Sequence, residues 1–116
     1  MEHRLLEDDV KNAVLHNKHL LSYLGNLGET KAIFEKTVDY HRMIADVLLF
    51  THNKRIIGIE IKTQYDTLAR LSKQLDSYTR VCNYVFVFCH ESHLGSVLEL
   101  IKNKHYNYVG VIAYED

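Results

Sequence analysis

Residues 43–51 read Met-Ile-Ala-Asp-Val-Leu-Leu-Phe-Thr, an almost continuously apolar run interrupted by one charge, Asp46. A run of this kind suits a central strand buried on both faces. His52-Asn53-Lys54 then makes a polar break. Residues 55–63, Arg-Ile-Ile-Gly-Ile-Glu-Ile-Lys-Thr, alternate cleanly and set Ile57, Ile59 and Ile61 on one face. The two runs predict a hairpin. If it turns symmetrically about Asn53, paired positions sum to 106 and Asp46 falls opposite Glu60. A two-residue turn would put Asp46 on the wrong face, so a shared site for the two acids demands an odd loop or a bulge.

The rest of the chain frames this hairpin with helices and strands. Leu6, Val10, Ala13, Val14, Leu20, Leu21 and Leu24 recur at three- and four-residue steps and predict an amphipathic helix over 3–24, ended by Gly25 and Gly28. Residues 31–40 are β-like in composition. Beyond Tyr65, Asp66 or Thr67 can cap a helix carrying Leu68, Leu71, Leu75 and Tyr78 as far as about Cys82. Residues 83–89 predict a strand, 92–103 a helix and 106–114 a last strand. The order is helix, three strands, helix, strand, helix, strand, an α/β chain with a mixed central sheet.

Length and composition bound the class. At 116 residues and 47% hydrophobic, residues 1–116 suit one domain with one core. A formal net charge of -1 excludes a chain that coats nucleic acid by overall charge. Phosphate binding would have to be local, and residues 54–80 hold six Lys and Arg against three acids. Cys82 and Cys89 lie in or beside apolar runs, read as buried thiols, and make no disulfide framework. The first residues lack the apolar core of a secretory signal and no stretch of about 18 apolar residues occurs, so the expected setting is reducing and cytoplasmic.

The charges inside the apolar strands carry the chemistry. Glu60 and Lys62 are two apart and share a strand face, with Ile61 pointing into the opposite one. Burying a carboxylate and an ammonium there is costly unless they pair or meet a metal. Asp46 repeats the anomaly between Ile44, Ala45, Val47 and Leu48. Opposed residues on paired strands have Cβ atoms about 5 Å apart, close enough for two carboxylates to hold one cation. Phosphodiester hydrolysis needs such oxygen ligands for a hard divalent cation, together with a positive group beside the attacking water.

Asp46, a gap of thirteen residues and Glu60-x-Lys62 resemble the signature of the PD-(D/E)XK, or restriction-endonuclease-like, nuclease superfamily. Its αβββαβ core order matches residues 3–89, leaving a C-terminal helix and strand as additions. Ile59-Glu-Ile-Lys-Thr, Asp66-Thr-Leu, Arg70-Leu and Gln74-x-x-x-Tyr78 are similar to small stand-alone members. The resemblance implies a Mg²⁺-dependent nuclease, with Mn²⁺ able to substitute. Asp46 and Glu60 would bind the metal with the Ile61 carbonyl, and Lys62 would position water. Gln74 matches a helix glutamine beside such sites, and Glu35 matches an upstream acid, a place that Glu7 or Glu29 could fill instead. Ile44-Ala45 stand where relatives often carry a proline or an arginine.

Blander readings compete. Asp46, Glu60 and Lys62 could form a buried salt-bridge network; Arg70, Lys73 and Gln74 could be a solvated helix face; Glu35 could be an exposed strand residue. His90-Glu91-Ser92-His93 holds histidines three apart without a full zinc motif. The eight tyrosines could include a base-stacking platform, though strand aromatics are more often core. The expected function is Mg²⁺-dependent hydrolysis of phosphodiester bonds in DNA, with a homodimer supplying the second site that a paired cut needs. The alternative is a catalytically silent module that keeps the nuclease fold and contacts nucleic acid or a protein.

Overall fold

The computed structural model of the chain describes residues 30–106 and 108–115. The helix expected over 3–24, its glycine stop, and the alternative acids Glu7 and Glu29 lie outside the described residues. The described elements are β1 (Thr30–Val38), β2 (Met43–Thr51), β3 (Ile56–Lys62), α1 (Leu71–Val81), β4 (Tyr84–His90), a 3-10 turn (Glu91–His93), α2 (Leu94–Asn103) and β5 (Val109–Tyr114). They form one five-stranded sheet in the order β1-β2-β3-β4-β5. The pairs β1–β2 and β2–β3 are antiparallel, and β3–β4 and β4–β5 are parallel. Short connections suffice for the antiparallel pairs, whereas each parallel pair needs a crossover, which α1 and α2 provide. The mixed α/β sheet expected from the sequence is present.

The core has two parts because the central strands are apolar on both faces. Leu71, Leu75 and Tyr78 of α1 and Val97 of α2 pack with Leu48, Val85 and Val87 in one cluster, so both helices cover the same side of the sheet. Val47, Leu49, Ile57, Ile59, Ile61, Phe86 and Phe88 form the second cluster on the other side. Each such aliphatic side chain, fully buried, contributes about 1.5–3 kcal/mol. Among the described residues no helix is long and apolar enough to cross a membrane.

The β2–β3 connection has the odd length that a shared site requires. Thr51 N–H donates to Arg55 O at 2.9 Å, leaving His52, Asn53 and Lys54 between the paired positions. Lys54 N–H donates to Thr51 O at 3.1 Å and Lys54 has φ 65°, a turn closed by one left-handed residue. The register Val47–Ile59, Leu48–Gly58, Leu49–Ile57 sums to 106 throughout.

The β1–β2 connection is more strained. Asp39, Tyr40 and His41 have φ of 53°, 56° and 66°, three consecutive side-chain-bearing residues in the left-handed region. Such positions cost on the order of 1–3 kcal/mol each and persist only where the surroundings fix them. Arg42 N–H closes the turn on Asp39 O at 3.1 Å. Tertiary ties hold it: Asp39 Oδ2 accepts from Ser77 Oγ at 2.8 Å and from Arg80 at 2.7 Å, both on α1.

Two expected boundaries move. The helix expected to be capped by Asp66 or Thr67 begins at Leu71, with Arg70 at its N-cap and no side-chain cap. Asp66 instead closes the turn after β3, where its Oδ2 accepts from Thr63 N–H at 2.7 Å and Thr63 Oγ1 at 3.1 Å. The last strand starts at Val109 because Tyr106 N–H is still bound to Ile101 O of α2, at 3.0 Å.

Candidate metal site in the cleft beside β3

The polar side of β3 faces α1. Glu60 and Lys62 are 3% and 7% exposed, and Lys62 Nζ lies 3.3 Å from Glu60 Oε2. Ile57, Ile59 and Ile61 enter the opposite cluster, as strand alternation demands. Gly58 shares the polar side and sits under Tyr78. A Cβ there would come within 2.5 Å of Tyr78 Cδ1 and 2.7 Å of Cys82 Sγ, so only glycine lets the aromatic ring lie this close to the strand.

That ring carries a hydroxyl to the junction of β2 and β3. Tyr78 OH accepts from Asp46 N–H at 2.9 Å and has Ile59 O at 3.0 Å and Glu60 Oε1 at 2.8 Å as acceptors. One proton serves two acceptors, so the carboxylate and the carbonyl share it. Ile61 N–H donates to Asp46 Oδ2 at 2.8 Å, linking the second acid to the backbone beside the first. Burial pushes the Glu60 carboxyl above the ordinary carboxylate value, against the opposing pull of Lys62, Tyr78 and Asp46. Burial, with the Glu60 and Asp46 charges, holds Tyr78 far above an ordinary phenol, so it stays a donor.

β2 turns over at Asp46. Met43 and Ala45 belong to the helix-side cluster, whereas Val47 and Leu49 belong to the opposite one. The β1–β2 register passes from Phe34–Val47 to Lys36–Ala45, skipping Glu35 and Asp46, and Glu35 has φ 51°. An irregularity in both strands re-aims the side chains there, a common role of bulges near functional sites.

Glu35, Asp46, Glu60, Ile61, Lys62 and Gln74, the six residues singled out in the sequence, line one cleft of about 420 Å³. Asp66, Arg70 and Ile44 complete the wall. Gln74 Oε1 is buried without a hydrogen-bond partner. The donors present fit a hard divalent cation: two carboxylates, a backbone carbonyl position and the unpartnered amide oxygen are all oxygen donors, and Mg²⁺ binds through one or two carboxylates while keeping waters. Among the described residues no group of three His, Cys, Asp or Glu is placed to hold a metal ion, so a cation here would rest on fewer such side chains, with Gln74, backbone oxygen and water completing its shell.

The charges inside the apolar strands do not point to Tyr78 or Gly58. Tyr78 belongs to the apolar stripe of α1 and lies in the core; its four-residue spacing from Gln74, one helical turn, is the signal the sequence offers. The histidines of 90–93 do other work. His90 Nδ1 accepts from Ser92 N–H at 3.1 Å at the start of the 3-10 turn, and His93 Nε2 lies 3.0 Å from Thr63 O. Cys82 and Cys89 are free, and burial pushes both thiols up, Cys82 to about 12.

No curated protein matches the chain. Among solved structures, the crystal structure of a repair endonuclease from Pyrococcus abyssi has a similar fold, with TM-score 0.59 and 13% identity. The match covers 99% of this chain and 49% of that one, so the chain spans about half its length. At that identity the likeness concerns the fold alone, and the fold is the part of the sequence resemblance that it supports. The family model that matches is not a PD-(D/E)XK model. It is the model described as Bacteriophage P4 protein cII, which matches residues 1–116, and the chain belongs to that family.

Proposed function

We propose that the cleft is a metal-dependent phosphodiesterase site acting on DNA. The observation that carries this reading is the convergence of Asp46, Glu60, Lys62 and the unpartnered Gln74 Oε1 on one cleft at the end of β3. Burial leaves Glu60 short of compensating charge even with Lys62 beside it. Mg²⁺ held by Asp46 and Glu60 would polarise a phosphoryl oxygen and acidify a water. Lys62 would orient that water and balance charge as the water gives a proton to solvent, its oxygen bonds to phosphorus and the ester P–O bond breaks, the leaving oxygen taking a proton from solvent. Arg70 is exposed at the rim and can hold the phosphate. Tyr78 fixes the Glu60 carboxylate from behind. A homodimer would supply a second site for a paired cut.

The second reading is a binding or inhibitory module with a silent site, favoured by the 3.3 Å pairing of Lys62 with Glu60, which sets an ammonium against the carboxylate where a metal would otherwise stand. Linear, nicked, branched and single-stranded DNA incubated with Mg²⁺, Mn²⁺ or EDTA separates the two. Metal-dependent products that Asp46→Asn and Lys62→Ala abolish support the enzyme. Absence of products on every substrate, with DNA still bound, supports the module.

A further inference from the structure

Beside the acidic cleft lies a second concavity of about 600 Å³ that shares Ile44, Arg70 and Gln74 with it. Its polar wall is basic: Arg42, Arg70, Lys73 and Arg80 are all exposed along it. Asp39 accepts from Arg80 and lies 3.9 Å from Arg42, so one buried carboxylate answers two guanidiniums. Among the described residues neither Arg70 nor Lys73 is in an ion pair. Asp76, the acid on this wall, is engaged by the Tyr106 hydroxyl. A near-neutral chain thus concentrates positive charge on the approach to the candidate site.

At the end of this groove stands the β1–β2 turn, whose His41 and Arg42 line the groove and whose Tyr40 is 90% exposed. The turn holds Asp39, Tyr40 and His41 in the left-handed region and is clamped to α1 through Asp39. The strained, anchored backbone therefore exposes an aromatic side chain immediately before His41 and Arg42, which line the groove. Ile44, 58% exposed, adds an apolar surface where the two concavities meet.

Resting on the phosphodiesterase reading, we propose that this groove takes single-stranded DNA, with Arg42, Lys73 and Arg70 tracking the backbone towards the cleft and Tyr40 stacking on a base. A positive track with an exposed aromatic is the pattern of sequence-tolerant single-strand binding. A paired base offers no free face to Tyr40 except at an end, so the groove discriminates against continuous duplex.

Fluorescence anisotropy in EDTA, with a labelled oligothymidine strand and a continuous duplex of equal length, tests this without cleavage. The single strand binds at least about tenfold more tightly. Tyr40→Ala weakens it roughly 5- to 150-fold, the range for loss of one base–aromatic stack, and Tyr40→Phe keeps the wild-type affinity. Lys73→Gln lowers the slope of log K against log salt by about 0.7, one phosphate contact. Equal affinity for duplex, or Tyr40→Ala within twofold of wild type, overturns the proposal. The Mn²⁺ melting response of the same wild-type preparation keeps the two readings apart. A response without single-strand preference removes the groove assignment alone, and single-strand preference without a response removes the metal-site reading.

Discussion

Two buried carboxylates flank α1 and are treated oppositely. Asp39 accepts from Ser77 and Arg80, and these hydrogen bonds, with the Arg80 and Arg42 charges, hold its carboxyl below the ordinary value despite burial. Glu60 has Lys62 and Tyr78, yet burial outweighs them and raises its carboxyl. The first acid is saturated and serves to clamp a strained turn. The second is held in place and left wanting positive charge, the condition expected of a group that binds a cation. The difference separates a structural acid from a candidate ligand.

The largest test removes the ammonium. Lys62→Ala removes the ion-pair partner that Glu60 has among the described residues, and breaking a buried pair from one side costs about 3–5 kcal/mol. Urea unfolding at neutral pH should show that loss, and Mn²⁺ should restore part of it by replacing the missing charge. Arg80→Ala should cost less, because Asp39 keeps Ser77 and Arg42. A larger loss for Arg80→Ala would break the comparison.

Tyr78→Phe is the next largest. It strips the hydroxyl shared by Asp46 N–H, Ile59 O and Glu60 Oε1, and unsatisfied buried groups cost about 1–3 kcal/mol. The same variant should weaken Mn²⁺ binding measured by titration calorimetry, since Glu60 is no longer fixed. Stability loss with unaltered Mn²⁺ affinity would make Tyr78 a core residue only.

A smaller effect distinguishes the acids by pH. Glu60, with its raised folded value, weakens the metal-free fold at neutral pH, and the penalty lifts as pH falls through that folded value. Asp39, with its lowered value, contributes stability that is complete above the ordinary carboxylate range and is lost as pH falls through its folded value. Mild acidification should therefore relieve the Glu60 penalty before the Asp39 contribution is lost. In Glu60→Gln the first component should vanish while the second persists, as followed by thermal melts across pH.

How far the sequence reveals this arrangement depends on whether local chemistry or distant contacts decide each part. The β2–β3 hairpin was legible because isoleucine alternation fixes the face of β3 and the three-residue break fixes the register. Asp46, Glu60 and Lys62 were legible because charges inside apolar strands are anomalous, whereas Glu35, Ile61 and Gln74 followed only from the family resemblance. The turnover of β2 at Asp46 was not, since Glu35 and Asp46 carry no glycine to announce an irregularity. Nor was the Asp39–Arg42 turn, where Tyr and His occupy positions that usually call for Gly or Asn and tertiary bonds from Ser77 and Arg80 hold them. Tyr78 fits the apolar stripe of α1, so its periodicity hides its hydroxyl's role.

Differential scanning calorimetry with Mn²⁺, on wild type and Asp46→Asn, addresses the central claim most directly. At about 100 times Kd, a cation bound only by the folded protein adds roughly 2.7 kcal/mol. The account predicts that rise in wild type and none in Asp46→Asn, whose side-chain oxygen can still accept from Ile61 N–H but brings no negative charge to a cation. No Mn²⁺ response in wild type, or an equal response in Asp46→Asn, would contradict it.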